Sequence, residues 1–272
     1  MNVHNALIAW MALAGAAQAA GPLPVFDAHL HYNAEATASY SVAQALDVFR
    51  KNGVKGILAN SRPNDGTRAL YEAKAKDLWV VPFIRPYVVR ADIQTWFRDP
   101  NIYALIESEM KRGYYRGIGE FHLYGRDAGG EQVKRIVNLA VAAGFYLHAH
   151  SDEEAMETLF AHNPEAKIIW AHTGFGTAPA KLEQYFARFP ALWGELSYRS
   201  GITGGDGKIT PEWTRLFTKY PDRFLLGSDT WINERWDSYA QIIAGYRAWL
   251  AQLPGEIAEK IAFRNAERMF TR

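Results

Sequence analysis

Short apolar runs alternate with longer amphipathic segments eight times between residue 26 and the C-terminus, and no single motif restricts the fold as much as this alternation. The runs fall at residues 26–31, 56–60, 79–87, 117–124, 145–150, 167–172, 192–198 and 224–229. Each has the length and composition of a buried strand. Segments with helical spacing lie at 41–51, 67–76, 102–111, 131–143, 153–161, 178–189 and 211–219, then at 238–253 and 256–270. Ser41 has the chemistry of an N-cap, Gly53 that of a C-terminal stop, and Pro211 suits a first helical turn. A longer insertion occupies residues 91–112.

Eight strand-then-helix units in about 250 residues are the pattern of a parallel sheet whose crossovers are helices, so the chain predicts an α/β fold, a (β/α)8 TIM barrel. No Ser/Pro linker, charge block or low-complexity tract divides residues 21–272, which are read as one domain. The rival architecture is an open doubly wound sheet, marked by a Gly-rich phosphate loop after its first strand. Here His29-Leu30-His31 occupies that place.

Residues 6–20 differ from the rest: an almost unbroken apolar run ending in Ala17-Gln18-Ala19, followed by Gly21-Pro22. This is the pattern of a secretory signal peptide over residues 1–20, although residues 1–5 carry no Lys or Arg. It is too short for a comfortable membrane span. The expectation is a mature protein beginning near Ala20 in the periplasm or outside the cell; an uncleaved leader would leave it cytoplasmic.

With a formal net charge of +1 and no basic run, broad electrostatic capture of nucleic acid or anionic membrane is not expected. The expected partner is a small molecule, with homo-oligomerisation left open. The absence of cysteine excludes disulfides, thiolate catalysis and Cys-ligated zinc. Any metal must therefore be held by His and carboxylate.

Successive strand side chains alternate faces, so His29 and His31 point the same way, about 7 Å apart along the strand. The pair alone has an ordinary structural reading. Barrel enzymes, however, build their sites at the C-terminal ends of the strands. Six of the eight histidines fall there: His29 and His31, His122, His148 and His150, and His172. Glu120 ends the fourth predicted strand and Asp229 the eighth. Singly, Glu120 reads as a loop cap, Asp229 as an N-cap and His172 as a core histidine. Together they are the nitrogen and oxygen donors suited to a divalent ion, Zn2+ first, with Mn2+ or Fe2+ as alternatives.

This order of residues resembles the amidohydrolase superfamily of metal-dependent barrel hydrolases. Ile168-Ile169-Trp170-Ala171-His172-Thr173-Gly174 and Asn265-Ala266-Glu267-Arg268-Met269-Phe270 resemble its amidohydrolase-2 branch most closely. The resemblance implies His29, His31 and Asp229 as ligands of the more buried ion. Tyr146-Leu147-His148 matches the branch's strand-five pattern, implying His148 as ligand and His150 as a residue facing substrate. His172 is implied as a ligand of a second ion or as a catalytic hydrogen-bonding group. Many two-metal members bridge their ions with a carbamylated Lys, which the fourth strand lacks; Glu120 is the bridging candidate, as in TatD-like deoxyribonucleases. One ion or two are both compatible with the pattern.

The leading expectation is hydrolysis of a small ester, lactone or amide by an activated water, with Asp229 carrying the proton. Arg85 and Arg199 are candidate anchors for a substrate carboxylate, or else surface ion pairs; Glu195 and Trp231 are lesser candidates. Three other readings stand beside it: a metal-dependent decarboxylase of an aromatic or unsaturated acid, a TatD-like phosphodiesterase or deoxyribonuclease, and a catalytically silent metal-binding protein.

Overall fold

Eight parallel strands hydrogen-bond in sequence order in a computed structural model that describes residues 21–271. They are β1 (Val25–Leu30), β2 (Val54–Ala59), β3 (Trp79–Ile84), β4 (Gly117–Leu123), β5 (Tyr146–Ser151), β6 (Lys167–Trp170), β7 (Leu192–Glu195) and β8 (Phe224–Leu225). Backbone hydrogen bonds from Ala28 N to Leu226 O (2.7 Å) and from Asp229 N to His29 O (2.6 Å) join the last strand to the first. The result is the single-domain (β/α)8 barrel that the alternation predicts. The expected leader, residues 1–20, lies outside the described residues. Among the latter, no helix is long and apolar enough to cross a membrane.

Strand periodicity splits the core in two. On β4, Ile118, Phe121 and Leu123 face outward and join the layer between strands and helices. Inside the barrel, Phe26, Leu58, Val81, Phe83, Ile169 and Leu225 form an apolar floor. The C-terminal helical segment seals it from below, with Phe270 stacked on Phe26 at 5.9 Å between ring centroids. Burial of each such side chain contributes about 1.5–3 kcal/mol. The barrel interior is thus filled at its N-terminal end, and the polar strand ends gather at the C-terminal one.

Local signals behave as their chemistry dictates. Ser41 caps the helix Val42–Lys51 in a reciprocal box with Gln44, and Gly53 follows with φ +64. The predicted strands overshoot at their C-terminal ends, for a physical reason. β6, β7 and β8 stop before His172, Tyr198 and Asp229, whose φ angles of 56, 50 and 49 cannot continue an extended ladder. β3 ends at Ile84, before Pro86, which has no N–H to offer a neighbour. A short helix, Ala34–Ser39, precedes Ser41 without a sequence signal of its own, and the helix expected at 67–76 runs instead over Asp65–Glu72 and is ended by Lys74 at φ 48. The last predicted helix contains one wide turn, Lys260–Arg264, between Gly255–Glu259 and Asn265–Met269.

Candidate metal centre

The pairing of β1 with β2 shifts register between Asp27 and Leu30. Ala28 then belongs to the floor and Leu30 to the outer core, while His29 and His31 turn into the barrel mouth. Their Nε2 atoms face each other at 3.1 Å. His29 Nδ1 lies 2.8 Å from Glu195 Oε2, and His31 Nδ1 lies 2.6 Å from the carbonyl of Asn60. A carboxylate and a carbonyl only accept, so both Nδ1 atoms carry protons, and in the neutral rings both Nε2 atoms present lone pairs. Two lone pairs this close repel unless a proton or a metal cation lies between them.

Carboxylates surround the pair. Asp229 Oδ1 lies 3.1 Å from His31 Nε2 and 3.5 Å from His29 Nε2. Glu120 Oε2 lies 3.3 Å and 3.5 Å from the same two atoms. A register shift between Gly119 and Phe121 lets Glu120 face inward although Ile118 and Phe121 both pack outward. Its second oxygen, Oε1, accepts from His150 Nδ1 at 2.8 Å and lies 3.8 Å from His172 Nε2. His172 Nδ1 donates to the carbonyl of Ser197 at 2.8 Å, which leaves Nε2 free, 3.8 Å from Asp229 Oδ2.

The electrostatics ask for a cation. Burial opposes charging His29, yet Asp229, Glu120 and Glu195 outweigh it and hold its pKa well above the imidazole value. Burial likewise opposes ionised Asp229, but His29 and His31 pull its pKa down; for Glu120, His29, His122 and Arg85 do the same. Three buried carboxylates, Glu120, Glu195 and Asp229, face one buried guanidinium, Arg85, so the rest of the balance falls to the imidazoles or to a bound cation. His148 is fully buried, with its ring 4.5 Å from that of His29, and neither of its nitrogens has a hydrogen-bond partner among the described residues. Idle buried imidazole nitrogens are costly unless something coordinates them. Donor chemistry, charge and unpaired nitrogens all fit a divalent ion. His29, His31 and Asp229 form one group able to hold it; His29, Glu120 and His172 form another, and His29, His148 and Glu195 a third.

Above the cluster opens a cavity of about 370 Å³. Glu120, His150, His172 and Asp229 line its base, and Phe175, Tyr198 and Trp231 its walls. His172 and Asp229 both sit at positive φ, a conformation that costs non-glycine residues of order 1 kcal/mol and concentrates at functional sites. Gly227 permits the close packing beneath: a Cβ there would stand 2.5 Å from His29 Cβ and run into the Glu195 carboxylate.

Two of the sequence expectations are redirected. Arg85 lines the cavity but spends its terminal nitrogens internally: Nη1 reaches Asn60 Oδ1 (2.7 Å) and Glu120 Oε2 (3.1 Å), and Nη2 reaches Tyr87 (2.6 Å). It therefore braces Glu120. Arg199 is not brought to the cavity; it donates to the Thr177 carbonyl at short range and lies over the Trp213 ring at 5.1 Å. Sequence reasoning passed over Asn60, whose side chain holds Arg85 and the backbone N–H of Glu120, and Arg62, which lines the cavity. Both lie just past the end of β2, where the strand-end rule that singled out the histidines applies equally.

Comparison with known proteins agrees with this architecture. A zinc-bound amidohydrolase from Burkholderia multivorans has a TM-score of 0.57 at 15% identity, with 90% of this chain and 98% of that chain covered. Amidohydrolase 2 from Bifidobacterium longum subsp. infantis has a TM-score of 0.56 at 17% identity, covering 91% and 98%. A TatD homologue from Escherichia coli reaches 0.64 at 15% identity, again covering 91% and 98%. These identities show a shared fold. A search of curated proteins finds no match. The amidohydrolase sequence family, in contrast, is matched over residues 3–272. By that match over nearly its whole length, the chain belongs to the amidohydrolase family and is a metal-dependent hydrolase.

Proposed function

We propose that the chain hydrolyses a small ester, lactone or amide, with His29, His31 and Asp229 holding a divalent ion, Zn2+ in the first instance. The observation that carries this reading is the 3.1 Å separation of the His29 and His31 Nε2 atoms with Asp229 Oδ1 beside them. The zinc bound in the Burkholderia relative favours the same metal.

A divalent ion held there supplies Lewis acidity and brings the pKa of a water from about 16 towards about 7. Asp229 Oδ2, directed towards His172 rather than the histidine pair, takes the proton of the attacking water and returns it to the leaving group. Glu195 and Asn60 fix the His29 and His31 rings in the tautomer that keeps Nε2 available. His148 is the strand-five donor, since His150 is already committed to Glu120. Glu120 turns one oxygen to each side of the cluster, so a second ion would be taken by Glu120 and His172. Phe175, Tyr198 and Trp231 shield the reacting atoms from bulk water.

The test is metal content and turnover across a panel of esters, lactones and amides. His29→Ala should lose metal, and Asp229→Asn should lose turnover by about 10²–10⁴-fold. Full metal content in His29→Ala, or full turnover in Asp229→Asn, would sink the assignment. Two ions per chain in the wild type would give Glu120 the bridging position.

A further inference from the structure

The cavity wall holds a buried cation whose hydrogen bonds are largely unused. Arg62 is 4% exposed. Its Nη2 reaches Glu35 Oε1 at 3.3 Å, while Nε and Nη1 have no acceptor among the described residues. One N–H on Nε and two on Nη1 therefore stand idle on a charged group that burial has cut off from water. Buried donors of this kind call for a partner, and Arg62 differs from Arg199, whose Nε and Nη1 are also unpaired, in lining the cavity.

Arg62 is also braced. Its N–H donates to Asn33 Oδ1 at 2.9 Å, and its carbonyl accepts from Ala34 N at 3.1 Å. Asn33 Nδ2 reaches the carbonyl of Trp231 at 3.5 Å, so the loops after β1, β2 and β8 are tied together around this side chain. Arg90, at the cavity mouth, lies over the Trp231 ring at 4.9 Å and has no ion-pair partner among the described residues. Two guanidiniums against the Glu35 carboxylate leave one positive charge uncompensated. Burial pulls the Arg62 pKa down, Glu35 opposes this, and Arg85 and Arg90 add to it, so an anion placed here relieves a stressed cation.

We propose that Arg62 receives a carboxylate carried by the substrate and so selects monoanionic esters, lactones or amides over neutral ones. The proposal rests on the hydrolytic reading of the cavity. A single carboxylate matches the single uncompensated charge, whereas a phosphate dianion exceeds it, and the planar guanidinium matches the carboxylate in shape.

The zinc-loaded full chain is tested with monomethyl glutarate and dimethyl glutarate, which share the scissile ester and differ by one charge. The wild type prefers the monoester. In Arg62→Gln the ratio of kcat/KM for monoester over diester falls about 30-fold, the effect of removing a charged hydrogen-bond partner. Arg62→Lys, which keeps the charge but loses the fork, gives a smaller fall. In a second readout, glutarate raises the Tm of the wild type more than inorganic phosphate does, and Arg62→Gln abolishes the glutarate effect. If neither ester is hydrolysed but the glutarate effect is present in wild type and absent in the variant, the hydrolytic reading fails and the anion site stands. Equal turnover of both esters by the wild type, a ratio unmoved in Arg62→Gln, or greater stabilisation by phosphate overturns the proposal. Should Arg62→Gln fail to fold, a wild-type ratio in Arg62→Lys overturns it.

Discussion

Asn60 Oδ1 accepts the backbone N–H of Glu120 at 2.8 Å while the Asn60 carbonyl accepts His31 Nδ1 at 2.6 Å. One residue at the end of β2 thus sets both the position of a carboxylate on β4 and the orientation of the histidine that follows β1. Arg85 Nη1 adds a third tie, 2.7 Å from the same Oδ1. Asn60→Ala removes the two side-chain ties and leaves the carbonyl contact, so the barrel should fold while Glu120 loses its brace. Metal affinity or turnover should fall about 10–100-fold, the usual effect of losing a group that orients a ligand. Wild-type values for both in a folded Asn60→Ala protein would show that Glu120 needs no such support.

Removal of metal should be visible in stability as well as activity. Without an ion, three buried carboxylates share one guanidinium, and only protons on the imidazoles offset the rest. A ligand at about 100 times its Kd adds about 2.7 kcal/mol to the folded state, which for a domain of this size moves Tm by about 5–10 °C. Chelation should abolish turnover and lower Tm by that amount, and Zn2+ should restore both. An unchanged Tm after complete, verified metal removal would place the ion elsewhere.

The barrel was legible because a parallel strand buried on both faces leaves a continuous apolar run, and its helix an amphipathic one. The site was legible where side chains are short. His29, His31, Glu120, His148, His172 and Asp229 act close to their own backbone, so strand-end position places their donor atoms. Arginine is different, because a long flexible stem carries its head group well away from its Cα. Arg85 and Arg199 stand at comparable strand ends, yet one turns inward to Glu120 and the other lies on Trp213. The overshoot of β6, β7 and β8 has a related origin. Their left-handed residues, His172, Tyr198 and Asp229, carry side chains that give no sign in the sequence that the backbone has turned.

His122 should impose an acid limit on stability. Burial is the main reason its pKa falls from 6.5 to about 3, with His150, stacked at 4.0 Å, adding to the effect and Glu120 opposing it. Its Nδ1 lies 3.0 Å from the Tyr87 hydroxyl. Above pH 6.5 the ring is neutral in both folded and unfolded chains and contributes no pH dependence. Between 6.5 and 3 the unfolded chain takes up a proton that the folded chain refuses, so stability is lost as pH falls through that window. The slope from this one group should approach about 1 kcal/mol per pH unit. Urea midpoints measured from pH 7 to pH 4.5 should fall more steeply for the wild type than for His122→Asn; parallel curves would mean that the folded protein accepts the proton.

Stability and chemistry should separate at opposite ends of the barrel. Phe270 is buried in the floor, 5.9 Å from the rings of both Phe26 and Phe83 and 5.2 Å from Tyr146. Truncating a buried phenylalanine leaves a cavity and typically costs about 3–5 kcal/mol. The floor residues Phe26 and Ala28 precede His29 along β1, and the His29 ring is held by Glu195 independently of Phe270. Phe270→Ala should therefore lower the denaturation midpoint strongly while the folded fraction keeps its metal stoichiometry and kcat/KM. Loss of metal at temperatures where the variant is still folded would mean that the floor also positions the histidines, and that the two ends of the barrel are mechanically coupled.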